Sequence, residues 1–134
     1  MPLLARAFVI LSLLAPVTAA AGGTGLYTET LRKVPHVQVV SYGKVVFSGT
    51  MDLGPTLDRI GRGEKYPHRN DGSVFGNREG RLPRKPRNWY REYVHPTRGV
   101  NGPGPQRIIL GKDGEAFYTP DHYGTFIRLN ERTR

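Results

Sequence analysis

Trp89-Tyr90-Arg91-Glu92-Tyr93-Val94-His95, Gln106-Arg107-Ile108-Ile109-Leu110 and Asp121-His122-Tyr123-Gly124-Thr125-Phe126-Ile127 decide how this chain is read. Each is short, rich in aromatic or β-branched residues and bounded by turn residues, so each reads as a strand. The turns are Pro96–Pro105, Gly111–Gly114 and Tyr118–Asp121. Each strand carries one notable charged residue: Glu92, Arg107 and His122. Neighbouring antiparallel strands lie only about 4.8 Å apart, so the three side chains can meet. A carboxylate, a guanidinium and an imidazole together can take a proton, hold an anion and give a proton.

Upstream, Leu53, Leu57 and Ile60 fall on one helical face. Pro55 suits the first turn of that helix, and Gly61 and Gly63 suit its end. Lys44–Ser48 reads as a strand before it. Tyr66–Gly72 reads as a loop, with Asn70-Asp71-Gly72 as its turn. A helix early and strands late predict an α+β fold, a short N-terminal helix packed on an antiparallel β-sheet.

The 134 residues suit one domain. Residues 1–21 have a basic start, an apolar run at Ala7–Leu14 and Ala19-Ala20-Ala21 as a small-residue cleavage site. This is the pattern of a signal peptide, and the run is too short to span a membrane. Residues 22–41 read as a leader or linker of unknown structure. Val37-Val40 could form an extra edge strand there, against which stands Pro35. Residues 42–134 form the expected domain.

The chain has no cysteine, which excludes disulfides, thiolate metal sites and a cysteine nucleophile. Lys plus Arg number 20 against 11 acidic residues, a net charge of +9. Such a field draws polyanions, nucleic acid among them. His36, His68, His95 and His122 show no metal-ligand spacing, so neither a metal nor another cofactor is expected.

Read singly, the charged residues stay ambiguous. Glu92 shares a strand face with Tyr90 and Val94, and is either solvated or held in a cleft among cations. Arg107 precedes three apolar residues and calls for a fixed anionic partner. His122 is either a hydrogen-bonded structural residue or a proton donor.

Read together, the flanking words narrow the choice. Phe75-Gly76-Asn77-Arg78-Glu79-Gly80, Tyr90-Arg91-Glu92-Tyr93, Gln106-Arg107-Ile108-Ile109 and Asp121-His122-Tyr123-Gly124-Thr125-Phe126 occur in this order. Over about Asp52 to Leu129 the chain resembles the secreted guanyl-specific microbial ribonucleases, the family of barnase. The resemblance implies the microbial ribonuclease fold and a metal-independent endoribonuclease. It implies cleavage of single-stranded RNA 3′ of guanosine to a 2′,3′-cyclic phosphate, followed by hydrolysis. Glu92 matches the general base, His122 the general acid and Arg107 a phosphate-binding arginine. Phe75, Asn77, Arg78 and Glu79 match the guanine-reading loop, and Tyr123 a tyrosine beside the scissile phosphate. A secreted monomer and a barstar-like cytosolic inhibitor are further implications.

The match departs at one place. The family usually has a second arginine where this chain has Pro103. Arg98, Lys85 and Arg87 are the candidates to replace it. Without a replacement, the alternative is a catalytically weakened module that binds RNA or another polyanion.

Overall fold

The computed structural model describes residues 26–133. The expected signal segment therefore lies outside the described residues. Among the described residues, two antiparallel sheets and one helix make up the fold. Strands β1 (Lys33–Ser41) and β2 (Lys44–Asp52) form a long hairpin, followed by helix α1 (Gly54–Gly61). Strands β3 (Ser73–Phe75), β4 (Tyr90–Val94), β5 (Arg107–Gly111), β6 (Ala116–Thr119) and β7 (Ile127–Arg128) form a second sheet in sequential order.

The five-stranded sheet is apolar on both faces, and strand alternation sorts its residues. Ile108, Ala116 and Tyr118 point to the main core, where they meet Leu53 and Met51 with Leu57 and Ile60 packed against them. Ile109, Phe117 and Tyr90 point the other way, into a smaller cluster with Leu82, Phe75 and Tyr123. Glu92 is paired with Ile109, and Arg107 with Thr119. The alternation therefore places Glu92 and Arg107 on the face of the smaller cluster, away from the helix. The helix is as the Leu53, Leu57 and Ile60 pattern predicts, with Pro55 in its first turn.

Residues 22–41 are not a leader apart from the domain, at least from Leu26 onward. Thr28 and Leu31 donate main-chain hydrogen bonds to Glu131 and Leu129, and Lys33–Ser41 pairs with all of β2. Val34, Val37 and Val39 are buried in the main core. Each such side chain is worth roughly 1.5–3 kcal/mol of burial, which a loose segment would forgo. A bulge masks the strand pattern here. Val34 pairs with Met51 but Val37 with Gly49, so Pro35-His36 inserts an extra residue, with His36 at φ 59°. That insertion returns Val37 to the face of Val34 and breaks the simple alternation.

The third strand also lies elsewhere. Ala116–Thr119 forms it, whereas Asp121–Ile127 is mostly a turn. Its side chains explain why. Asp121 accepts the Thr125 amide at 2.8 Å, and Thr119 Oγ1 accepts the Tyr123 amide at 3.0 Å. His122 and Tyr123 sit at φ 59° and 74°, a left-handed conformation that a strand does not allow.

A buried ion pair ties the helix to the sheet. Both outer nitrogens of Arg59 donate to Asp71, at 2.8 and 3.1 Å, and one of them also to the Val94 carbonyl at 2.7 Å. Asp71 further accepts the amides of Val94 at 2.9 Å and Tyr66 at 3.1 Å. Burial works against its charge, but these donors prevail and hold its carboxyl below the usual range. The Asn70-Asp71-Gly72 turn is thus also an anchor for the strand that bears Glu92.

Candidate active site

Glu92 and Arg107 are both buried, and Arg107 Nε lies 3.9 Å from Glu92 Oε2. Arg107 is held from behind: one terminal nitrogen donates to the carbonyls of Gly104 at 2.7 Å and Gln106 at 2.8 Å. Gly104 must be glycine for this, since it sits at φ 66° and a Cβ there would meet Thr97 Oγ1 at 2.7 Å. Arg107 Nε has no hydrogen-bond partner among the described residues. A buried cation left partly unsatisfied suits an anionic ligand.

Tyr123 joins the parts. Its hydroxyl donates to Glu92 Oε2, and Ser73 Oγ donates to the other oxygen at 3.4 Å. Burial, with the Glu92 carboxylate alongside, pushes the Tyr123 hydroxyl up to about 12, so it remains a donor. Its ring stacks on Phe75 with centroids 5.3 Å apart, and the His122 ring lies 5.0 Å away. His122 is exposed on its turn, and its amide donates to the Pro105 carbonyl at 2.8 Å. Asp121 is occupied with Thr119 and Thr125, so it fixes the turn rather than the imidazole.

Two cavities flank this group. One, of about 150 Å³, is lined by Phe75, Asn77, Arg78, Glu79 and Tyr123, and also by Arg81 and Phe126. The Asn77 side chain bridges to Leu82, donating to its carbonyl at 3.0 Å and accepting its amide at 3.1 Å. Asn77 itself takes φ 52°, which asparagine tolerates better than most residues. The amides of Asn77 and Arg78 donate to nothing among the described residues. The Glu79 carboxylate, largely exposed, accepts Arg81 Nε at 3.0 Å. Arg81 also donates to the Gly124 carbonyl at 2.9 Å, joining this loop to the His122 turn. Nothing in the sequence pattern singled out Arg81 or Phe126, because both are brought in by loop geometry. The second cavity, of about 460 Å³, is shared by Arg107 and His122.

Every residue expected at the site borders this region except the replacement cations. Lys85 Nζ sits 4.0 Å from Glu115 and over the Trp89 ring, and lines with Arg87 a separate cavity behind the Asn77 loop. Arg98 is exposed and does not line the cavity of Arg107 and His122. Among the described residues no three His, Asp or Glu side chains group as a metal site would need.

The ribonuclease family model matches residues 50–130. The chain belongs to the ribonuclease family. Within that family it is 44% identical over 79 residues to guanyl-specific ribonuclease St of Saccharopolyspora erythraea, covering 56% of this chain and 78% of that one. It is 40% identical over 77 residues to guanyl-specific ribonuclease Sa of Kitasatospora aureofaciens, covering 57% and 80%. Among solved structures it is similar to ribonuclease Sa2 in complexes with mononucleotides, at 43% identity and TM-score 0.53, over 55% of this chain and 77% of that one. The family match begins inside β2, so most of the β1–β2 hairpin precedes it.

Proposed function

We propose that the protein is an exported endoribonuclease that cleaves single-stranded RNA on the 3′ side of guanosine. One observation carries this reading: Tyr123 walls the small cavity with its ring and holds Glu92 beside Arg107 with its hydroxyl. A guanine seated in that cavity thus lies next to a carboxylate, a guanidinium and an imidazole.

RNA brings its own nucleophile, the 2′-hydroxyl. Glu92 takes that proton while the 2′-oxygen attacks phosphorus. Arg107 stabilises the crowded phosphate through charge-assisted bonds, and Tyr123 stands beside it. His122 protonates the departing 5′-oxygen. The product is a 2′,3′-cyclic phosphate, which water opens with the two proton roles reversed. DNA has no 2′-hydroxyl and is not cut by this route.

Guanine presents two adjacent donors, N1–H and its amino group, which the Glu79 carboxylate can accept together. The free amides of Asn77 and Arg78 suit O6, while Phe75 and Arg78 wall the seat. The pair between Glu79 and Arg81 is largely exposed and worth at most about 1 kcal/mol, so the base can replace it. The net charge of +9 favours approach to RNA and suits a small acidic inhibitor that protects the producing cell. The signal-like residues 1–21 support export, and a monomer suffices because one chain supplies all the groups.

The test is turnover of a GpN dinucleotide with EDTA present. Guanosine 2′,3′-cyclic phosphate should accumulate first, and a 2′-deoxyguanosine analogue should stay intact. Folded protein that forms no cyclic product would end the proposal.

A further inference from the structure

The large cavity has a wall that the reaction above does not use. Val40, Ser41 and Tyr42, at the tip of the β1–β2 hairpin, line it together with Arg107 and His122. Ser41 pairs with Lys44, so Tyr42-Gly43 is a two-residue turn, with φ 50° and 76°. Turns of this type favour asparagine, aspartate or glycine at the first position, because both residues need positive φ. Here a tyrosine occupies it and is 98% exposed. Its ring contributes nothing to the core, while holding it there costs backbone strain.

We infer that Tyr42 is a stacking platform for the nucleoside on the 3′ side of the cut. The inference rests on the proposed ribonuclease reaction and deepens it. His122 gives its proton to the departing 5′-oxygen, so the departing nucleoside lies on the His122 side of the phosphate. That side opens into the cavity of about 460 Å³, within the range that small ligands occupy. An exposed aromatic ring there can stack on any base, more strongly on a purine. Val40, 44% exposed on the adjoining strand end, widens the apolar wall. The cavity thus runs from the phosphate-binding arginine to the hairpin without a break. The hairpin tip at Tyr42-Gly43 lies before the residues that the family model matches.

Two substrates separate the roles. GpA carries a departing nucleoside, whereas guanosine 2′,3′-cyclic phosphate carries none. Tyr42→Ala should lower kcat/KM on GpA about tenfold and leave hydrolysis of the cyclic phosphate unchanged. Tyr42→Trp should restore GpA cleavage; wild type should cleave GpA faster than GpC, and that difference should shrink in Tyr42→Ala. Thermal unfolding of the variants checks that the exposed turn tolerates the change. Wild-type rates of Tyr42→Ala on GpA would overturn the inference, as would equal losses on both substrates. A wild type that turns over neither substrate would instead defeat the ribonuclease proposal itself.

Discussion

Replacing Pro103 by arginine should make the enzyme faster. Pro103 lines the cavity with Arg107 and His122, and among the described residues no lysine or arginine except Arg107 lines it. A positioned donor to a developing oxyanion is worth about 2.7–4 kcal/mol. Position 103 cannot reach that value, because it is exposed on a loop between Gly102 at φ 79° and Gly104 at φ 66°. Ordering an arginine side chain there costs up to about 2 kcal/mol. The net gain is therefore about 1.5 kcal/mol, or about tenfold in rate. It should appear in kcat more than in KM, since the added charge acts most on the crowded transition state. Removing the proline ring should cost about 0.4–1 kcal/mol of stability. The assay is initial-rate cleavage of GpN at fixed ionic strength, with Pro103→Ala as the control for a loosened loop. If Pro103→Arg and Pro103→Ala agree within twofold, the cavity is not where the phosphate charge develops.

Further outcomes concern specificity and stability. Glu79→Ala should erase most of the preference for GpN over ApN while leaving the fold intact, read as a ratio of kcat/KM values on the two dinucleotides. Asp71→Asn should cost about 3–5 kcal/mol in urea unfolding, because Arg59, 6% exposed, keeps its charge and loses its counter-ion. Burial lowers His95 from an ordinary 6.5 to about 4, with Thr56 Oγ1 2.7 Å from its Nδ1. The unfolded chain binds a proton there that the native state refuses, so stability should fall as pH drops from about 6.5 to about 4. This group contributes up to about 3 kcal/mol of that fall. His95→Gln should flatten that part of a stability-against-pH curve.

Much of the site was legible because its residues are neighbours in short words. The helix followed from Leu53, Leu57 and Ile60, and the β4–β5 pair from alternation through Tyr90–Val94 and Arg107–Leu110. Those two strands alone bring Glu92 and Arg107 to one face. The residues around His122 read as a strand, yet His122 reaches the site from a turn built by Thr119 and Asp121 side chains. Local hydrogen bonding of that kind overrides the β propensity of Tyr123, Thr125 and Phe126. The hairpin was obscured by the bulge at Pro35-His36, where the extra residue disrupts the period that marks a strand. Asp71 looked like turn chemistry because its partner Arg59 comes from the helix, a contact that no spacing rule reveals. Arg81 and Phe126 likewise reach the small cavity only through the folded loops.

The most direct measurement is the rate of GpA conversion to guanosine 2′,3′-cyclic phosphate by Glu92→Gln and His122→Ala, beside wild type, at neutral pH with EDTA. Each variant should be slower by about 10²–10⁴-fold while unfolding as cooperatively as wild type. A folded variant of either kind that retains the wild-type rate would show that its side chain moves no proton in the reaction.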